Sequence, residues 1–216
     1  MQLDVKVAQL LCSRLCHDLV GSASAINAGL EMINEDPGDP AGPLDLMGNS
    51  AGQMTRRLAF FRAAFGLAEG ARGPASVEEI RSLASDMMQG GKVALNWVDA
   101  ETDDASRVLP AEIGKVCLNL ILAGSECLPR GGGIDVHLTD IPEGIGIALE
   151  SRGQSARISE DMAAALASNA GLGQLNAHNV HVYFAQLLAR SVGGEIECQT
   201  DPSEESIQIA VLFPHR

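Results

Sequence analysis

Apolar residues recur at helical spacing along the first third of the chain. Over residues 3 to 34, Leu11, Leu15, Leu19, Ile26, Leu30 and Ile33 fall on one face when placed at about 100° per residue. EDPGDPAGP, residues 35 to 43, breaks this pattern, because its three prolines and two glycines cannot continue a helix. A second helical pattern follows in Leu44, Met47, Ala51, Met54, Leu58, Phe61 and Phe65, whose steps of three and four make a heptad seam. Two helices joined by a short turn form a hairpin, and a hairpin with an apolar seam needs a partner. A dimeric four-helix bundle would supply it.

GLAEGARGPAS, residues 66 to 76, reads as a linker, and beyond it the periods alternate. VEEIRSLASDMM, AEIGKVCLNLILAGSECL, ISEDMAAALAS and NAHNVHVYFAQLLARSVGG predict helices, the last ending at a glycine pair. KVALNWV, GIDVHLTD, GIGIALES, GEIECQT and SIQIAVLF predict strands. The fold class is α+β: a helical hairpin over residues 1–70, then helices on one face of a mainly antiparallel sheet over residues 75–216.

Composition narrows the function classes. With 46% apolar but only 3% aromatic residues, the core must be aliphatic. A formal net charge of −13 excludes a nucleic-acid or anionic-membrane surface, since phosphate contacts need clustered Lys and Arg. The sequence has no apolar run of bilayer length, and MQLDVKVAQLL has no signal-peptide pattern. Cys12, Cys16, Cys117, Cys127 and Cys198 are read as reduced, packed thiols of a cytoplasmic protein.

The candidate chemistry sits in LCSRLCHDLVGSASAINAGL, residues 11 to 30. His17 falls nearly half a turn from the apolar stripe, among small neighbours: Ser13, Gly21, Ser24 and Ala28. A core histidine would lie within the stripe. Gly21 and Gly29 each cost a helix about 0.5–1 kcal/mol relative to Ala. That cost is read as serving close access to the imidazole. A neutral imidazole is a good nucleophile and can hold a phosphoryl group as phosphohistidine. Asp18 can orient it, or stabilise the charge that develops on it.

CHDLVGSASAINAGLEM resembles the phosphoacceptor helix of the ChpT-type histidine phosphotransferases, and RAAFG at Arg62 to Gly66 is similar to that family too. The resemblance covers nearly the whole chain. It implies a dimerising hairpin like that of histidine kinases and a C-terminal domain similar to the kinase ATPase fold without ATP binding. It makes His17 the phosphorylated residue and Asp18 its acidic neighbour. Kinase-like boxes usually carry Pro five residues after the histidine; here that residue is Ser22. EIGKVCLNLILAGSECLPRGGGI looks like the kinase asparagine-box helix, with Asn119 retained and the magnesium-holding asparagine replaced by Ala123. In ALESRGQSARI the adenine-reading Asp becomes Ser151 and a glycine becomes Ser155, while Asn179 and His181 stand where phosphate-cradling glycines would be. The glycines at 131 to 133 are read as a turn leading into a strand.

The implied activity is phosphoryl transfer between receiver-domain aspartates in a two-component phosphorelay, with receivers of a hybrid kinase and of response regulators as partners. Mg²⁺ would come with the receiver, and this chain would bind no cofactor. Ser13, Arg14, Gly21, Ser24, Ala28, Arg56 and Arg57 are the expected partner-binding residues, although Arg56 and Arg57 equally fit a solvated face with ordinary ion pairs. Cys12 and Cys16 lack a third zinc ligand, and His178 and His181 are read as surface or capping residues. The rival readings are a divergent ATP-using histidine kinase and a non-catalytic module that binds a receiver or kinase.

Overall fold

The computed structural model describes residues 4–66, 76–98, 107–167 and 170–215. The predicted linker over 66–76 lies almost entirely outside the described residues. Helix α1 runs unbroken through Val5–Glu35, with the Asp4 side chain accepting from the Lys6 amide at its start. Helix α2 spans Ala41–Phe65. It begins three residues before the predicted Leu44, with Pro43 in its first turn, where a missing N–H costs nothing.

The apolar stripe predicted for α1 is not the face that packs within the chain. Of its members only Leu11 is buried; Leu15, Leu19, Ile26 and Ile33 are half-buried and Leu30 is exposed. The buried positions are Val7, Leu11, Arg14, Ser22 and Gly29, a row of apolar, charged and small residues facing α2 and the second half of the chain. Ser22 donates to Gln53 Oε1 on α2 at 2.8 Å. Gly29 has a packing reason rather than an access one. A Cβ there would lie 2.4 Å from Met47 Cγ and 3.1 Å from the Pro43 carbonyl. Gly21, by contrast, has open space around it.

The second half is a two-layer sandwich. Helices α3 (Val77–Met88), α4 (Ala111–Glu126), α5 (Glu160–Leu166) and α6 (Val180–Ser191) accompany strands β1 (Val93–Trp97), β2 (Gly132–Ile141), β3 (Gly144–Arg152), β4 (Ile196–Asp201) and β5 (Ser206–Pro214). The sheet order is β1-β2-β3-β5-β4. Only the β1–β2 pair is parallel. On β5, Ile207, Ile209, Val211 and Phe213 point inward and alternate with exposed residues, the period of a sheet with one solvated face. The glycines before β2 do form a strand-leading turn. Gly131 sits at φ +87°, and a Cβ there would meet the Lys92 carbonyl at 2.4 Å.

Helix α4 joins the two halves. Every residue from Ile113 to Gly124 is buried, the signature of a helix covered on all sides. It packs on the sheet on one side and on α2 and α6 on the other. Val7, Leu11, Phe60, Phe61 and Ala64 of the hairpin belong to the same hydrophobic core as its residues. Asn119 donates from Nδ2 to the Ala64 carbonyl at 3.2 Å, and Lys115 donates to that of Gly66. Both satisfy carbonyls left open at the end of α2. The open end of the hairpin is therefore embedded in the second half, and its turn projects away.

Candidate functional site

His17 lies midway along α1 with 65% of its side chain exposed. Ser13, Gly21, Ser24 and Ala28 are exposed as well, so the low, open surface expected around the imidazole exists. Adjacent side chains on a helix diverge, yet Asp18 reaches back: its Oδ1 lies 3.1 Å from His17 Nδ1. Its other oxygen, Oδ2, accepts from Arg14 Nε at 2.7 Å, one turn earlier on the helix. Anchored on Arg14, the carboxylate holds the imidazole at Nδ1.

Arg14 does not sit on the partner surface where the sequence reading placed it. It is 5% exposed. Its guanidinium pairs with Asp18, reaches Glu126 at the end of α4, and donates to the His178 carbonyl at 3.3 Å. Burial works against the cation, but Glu126 and Asp18 outweigh it and raise its pKa above the ordinary arginine value. Arg57 is likewise engaged, donating from Nη1 to the Asp18 backbone carbonyl. Arg56 is half-buried on α2. Beside this cluster runs a groove of about 260 Å³ whose lining includes Arg57, Met87, Met88, Lys92 and Ser125.

The thiols and remaining histidines meet expectation only in part. Cys12 and Cys16 are exposed rather than packed, because they lie off the buried row of α1. Cys117 and Cys127 are buried, and burial pushes both thiols up to about 12. Cys198 is half-buried. Among the described residues no group of three or more His, Cys, Asp or Glu is placed to hold a metal ion. His181, expected at the surface, is fully buried; its nearest carboxylate oxygen, on Glu126, is 3.5 Å away. Desolvation, with the Arg14 charge adding to it, holds its pKa well below the ordinary histidine value. His178 is exposed, and its ring packs against that of His17. Sequence spacing carried no signal for that pairing, since the two lie on different elements far apart in the chain. The Arg14–Asp18 pair was legible as an i, i+4 ion pair.

The model of the histidine phosphotransferase C-terminal domain family matches residues 77–204. The chain belongs to the histidine phosphotransferase family. The protein phosphotransferase ChpT of Brucella abortus (strain 2308) is 30% identical over 187 residues, covering 87% of each chain. A solved bacterial phosphotransferase superposes with a TM-score of 0.80 at 28% identity, over 98% of both chains. The histidine kinase AdeS of Acinetobacter baumannii shares 12% identity at a TM-score of 0.50, over 92% of this chain and 97% of that one. That likeness is one of fold alone.

The residues that the sequence resemblance sets against a kinase nucleotide site are mostly buried. Asn119 is fully buried and spent on carbonyls of α2 and of its own helix. Ala123 is fully buried. Ser151 is buried with its hydroxyl over Gly124, 2.8 Å from where a Cβ would stand. Ser155 adopts φ +61° and donates its amide to Glu205 Oε1 at 3.0 Å. Asn179 is 1% exposed and donates to the carbonyls of Asp161 and Gln174, tying down the loop ahead of α6. Those bonds also explain why α6 starts at Val180 rather than at the predicted Asn176.

Proposed function

We propose that this chain is a cytoplasmic histidine phosphotransferase that takes a phosphoryl group on His17 from the aspartyl phosphate of one receiver domain. It hands the group to an aspartate of another. The observation that carries this reading is the exposed imidazole whose Nδ1 is held by a carboxylate that is itself anchored on Arg14. With the Nδ1 proton donated to Asp18, the lone pair on Nε2 is free to attack. The Nε2–phosphorus bond forms as the phosphorus–oxygen bond to the donor aspartate breaks. The ring gains positive charge, Asp18 stabilises it, and the Nδ1 proton stays in place. The reverse sequence delivers the group onward. Such in-line transfer depends on alignment and electrostatics more than on acid–base steps.

Mg²⁺ belongs to the receiver in this scheme, and no nucleotide is used by this chain. Support comes from Asn119, Ala123, Ser151, Asn179 and His181, which the sequence resemblance sets at the nucleotide positions of a kinase and which are all buried. We further propose a homodimer. Val20 and Leu30 of α1 and Leu44 and Leu58 of α2 are apolar side chains 47–58% exposed along a hairpin that buries its other face. A second copy would cover them and complete a four-helix bundle. Receivers would then dock over the small residues Ser13, Gly21, Ser24 and Ala28, and along the groove that holds Arg57 and Lys92.

The test is to mix the protein with a phosphorylated receiver and follow label that is stable in base and labile in acid. Wild type should acquire it and His17→Ala should not. Label retained by His17→Ala sinks the assignment. Labelling from ATP alone would identify the chain as a kinase instead.

A further inference from the structure

The His17 ring has a second support. His178, just ahead of α6, places its imidazole perpendicular to that of His17, with ring centroids 5.4 Å apart and planes at 81°. Its backbone is pinned on both sides. The His178 amide donates to Asn176 Oδ1 at 2.8 Å, and its carbonyl accepts from Arg14 Nη1 at 3.3 Å. The guanidinium that anchors Asp18 thus also anchors the residue facing His17. The next residue, Asn179, is buried and bonded through both ends of its carboxamide. An exposed ring on so constrained a backbone has little freedom to leave its neighbour.

We propose that His178 is a positioning residue for phosphotransfer, an inference that rests on His17 being the phosphoacceptor. The single bond from Nδ1 to Asp18 fixes one corner of the His17 imidazole and leaves the ring able to pivot about it. The perpendicular ring of His178 blocks that pivot. One support comes from α1 itself and the other from the second half of the chain. Together they set the plane of the imidazole and so the direction of the Nε2 lone pair, along which in-line attack must run. His178 acts through His17 and forms no bond to phosphorus.

The experiment uses the full chain, a phosphorylated receiver at varied concentration, and the variants His178→Ala and His178→Phe. His178→Ala should lower the transfer rate at saturating receiver about tenfold or more, since small misalignments of reacting atoms are costly. The half-saturating receiver concentration should stay within about twofold, because affinity is not what the contact provides. His178→Phe keeps a perpendicular ring and should hold the rate within about threefold of wild type. Imidazole ¹⁵N relaxation of His17, recorded without receiver, should show an ordered ring in wild type and His178→Phe. In His178→Ala the ring should be markedly less ordered, with the Nδ1–H tautomer unchanged.

An unchanged saturating rate in His178→Ala overturns the proposal, while a label lost only in His17→Ala leaves the phosphoacceptor reading standing. A raised half-saturation at an unchanged maximal rate makes His178 a docking residue and overturns it as well. If wild type takes no label at all, the phosphoacceptor reading falls. The ring-order comparison then decides separately whether His178 orients the ring.

Discussion

At the scale of single residues, Arg14 holds the site together and has the most to lose. Its removal takes the guanidinium away from the Glu126 carboxylate and the donor away from the His178 carbonyl. Breaking a buried ion pair by deleting one partner costs about 3–5 kcal/mol. Arg14→Ala should therefore lower the urea midpoint sharply, and Arg14→Lys, which cannot span three acceptors, should recover little of it. His181 sets a pH dependence of definite sign. Its folded pKa lies below the unfolded value of about 6.5, so the unfolded chain binds more protons in acid. Its contribution is complete above that value and is lost as pH falls below it. Thermal midpoints should decline between pH 7 and pH 5, and His181→Leu should flatten that decline. Thiol chemistry offers a further check on burial. Cys12 and Cys16 should react within the dead time of a thiol reagent in native protein, while Cys117 and Cys127 should wait for unfolding.

At the scale of elements, the hairpin closes through close contact rather than through bulk. Gly29→Leu would drive a side chain into Met47 and the Pro43 carbonyl. Overpacking of this kind costs about 1–3 kcal/mol, measurable by denaturant unfolding. How far such elements could be read from the sequence depended on where their partners lay. Strands and helices with one wet and one dry face announced their period, and the strands and α3, α4 and α5 appear near their expected places. The inner face of α1 did not announce itself. It carries Arg14, Asp18, Ser22 and Gly29, polar or small residues whose burial is justified by Glu126, Gln53 and Met47 on other elements. Hydrophobicity along one helix cannot see such partners. The stripe it did find, Leu15 to Ile33, is at most half-buried within this chain. His17 was legible because exposure opposite a stripe is a local property; His178 and His181 were not, because their surroundings come from α1 and α4.

At the scale of the whole molecule, the exposed apolar side chains of the hairpin have a measurable consequence. Leu58 is 48% exposed on α2. Leu58→Glu would bury a charge in the proposed bundle, so sedimentation velocity should show wild type at twice the mass of the variant. Survival of the dimer in that variant, or a monomeric wild type, would refute the four-helix assembly. The sequence alone supported the α+β class and the resemblance on which the phosphoacceptor assignment rests. It did not foresee how completely the two parts merge, because a linker pattern between them suggests independence.

That merger has a bearing on how signals pass. Since Phe60, Phe61 and Ala64 share their interior with α4, the upper half cannot swing toward or away from the histidine without unfolding its own centre. For the proposed phosphotransfer, this means that a hinge between the two parts is not the place to look for control.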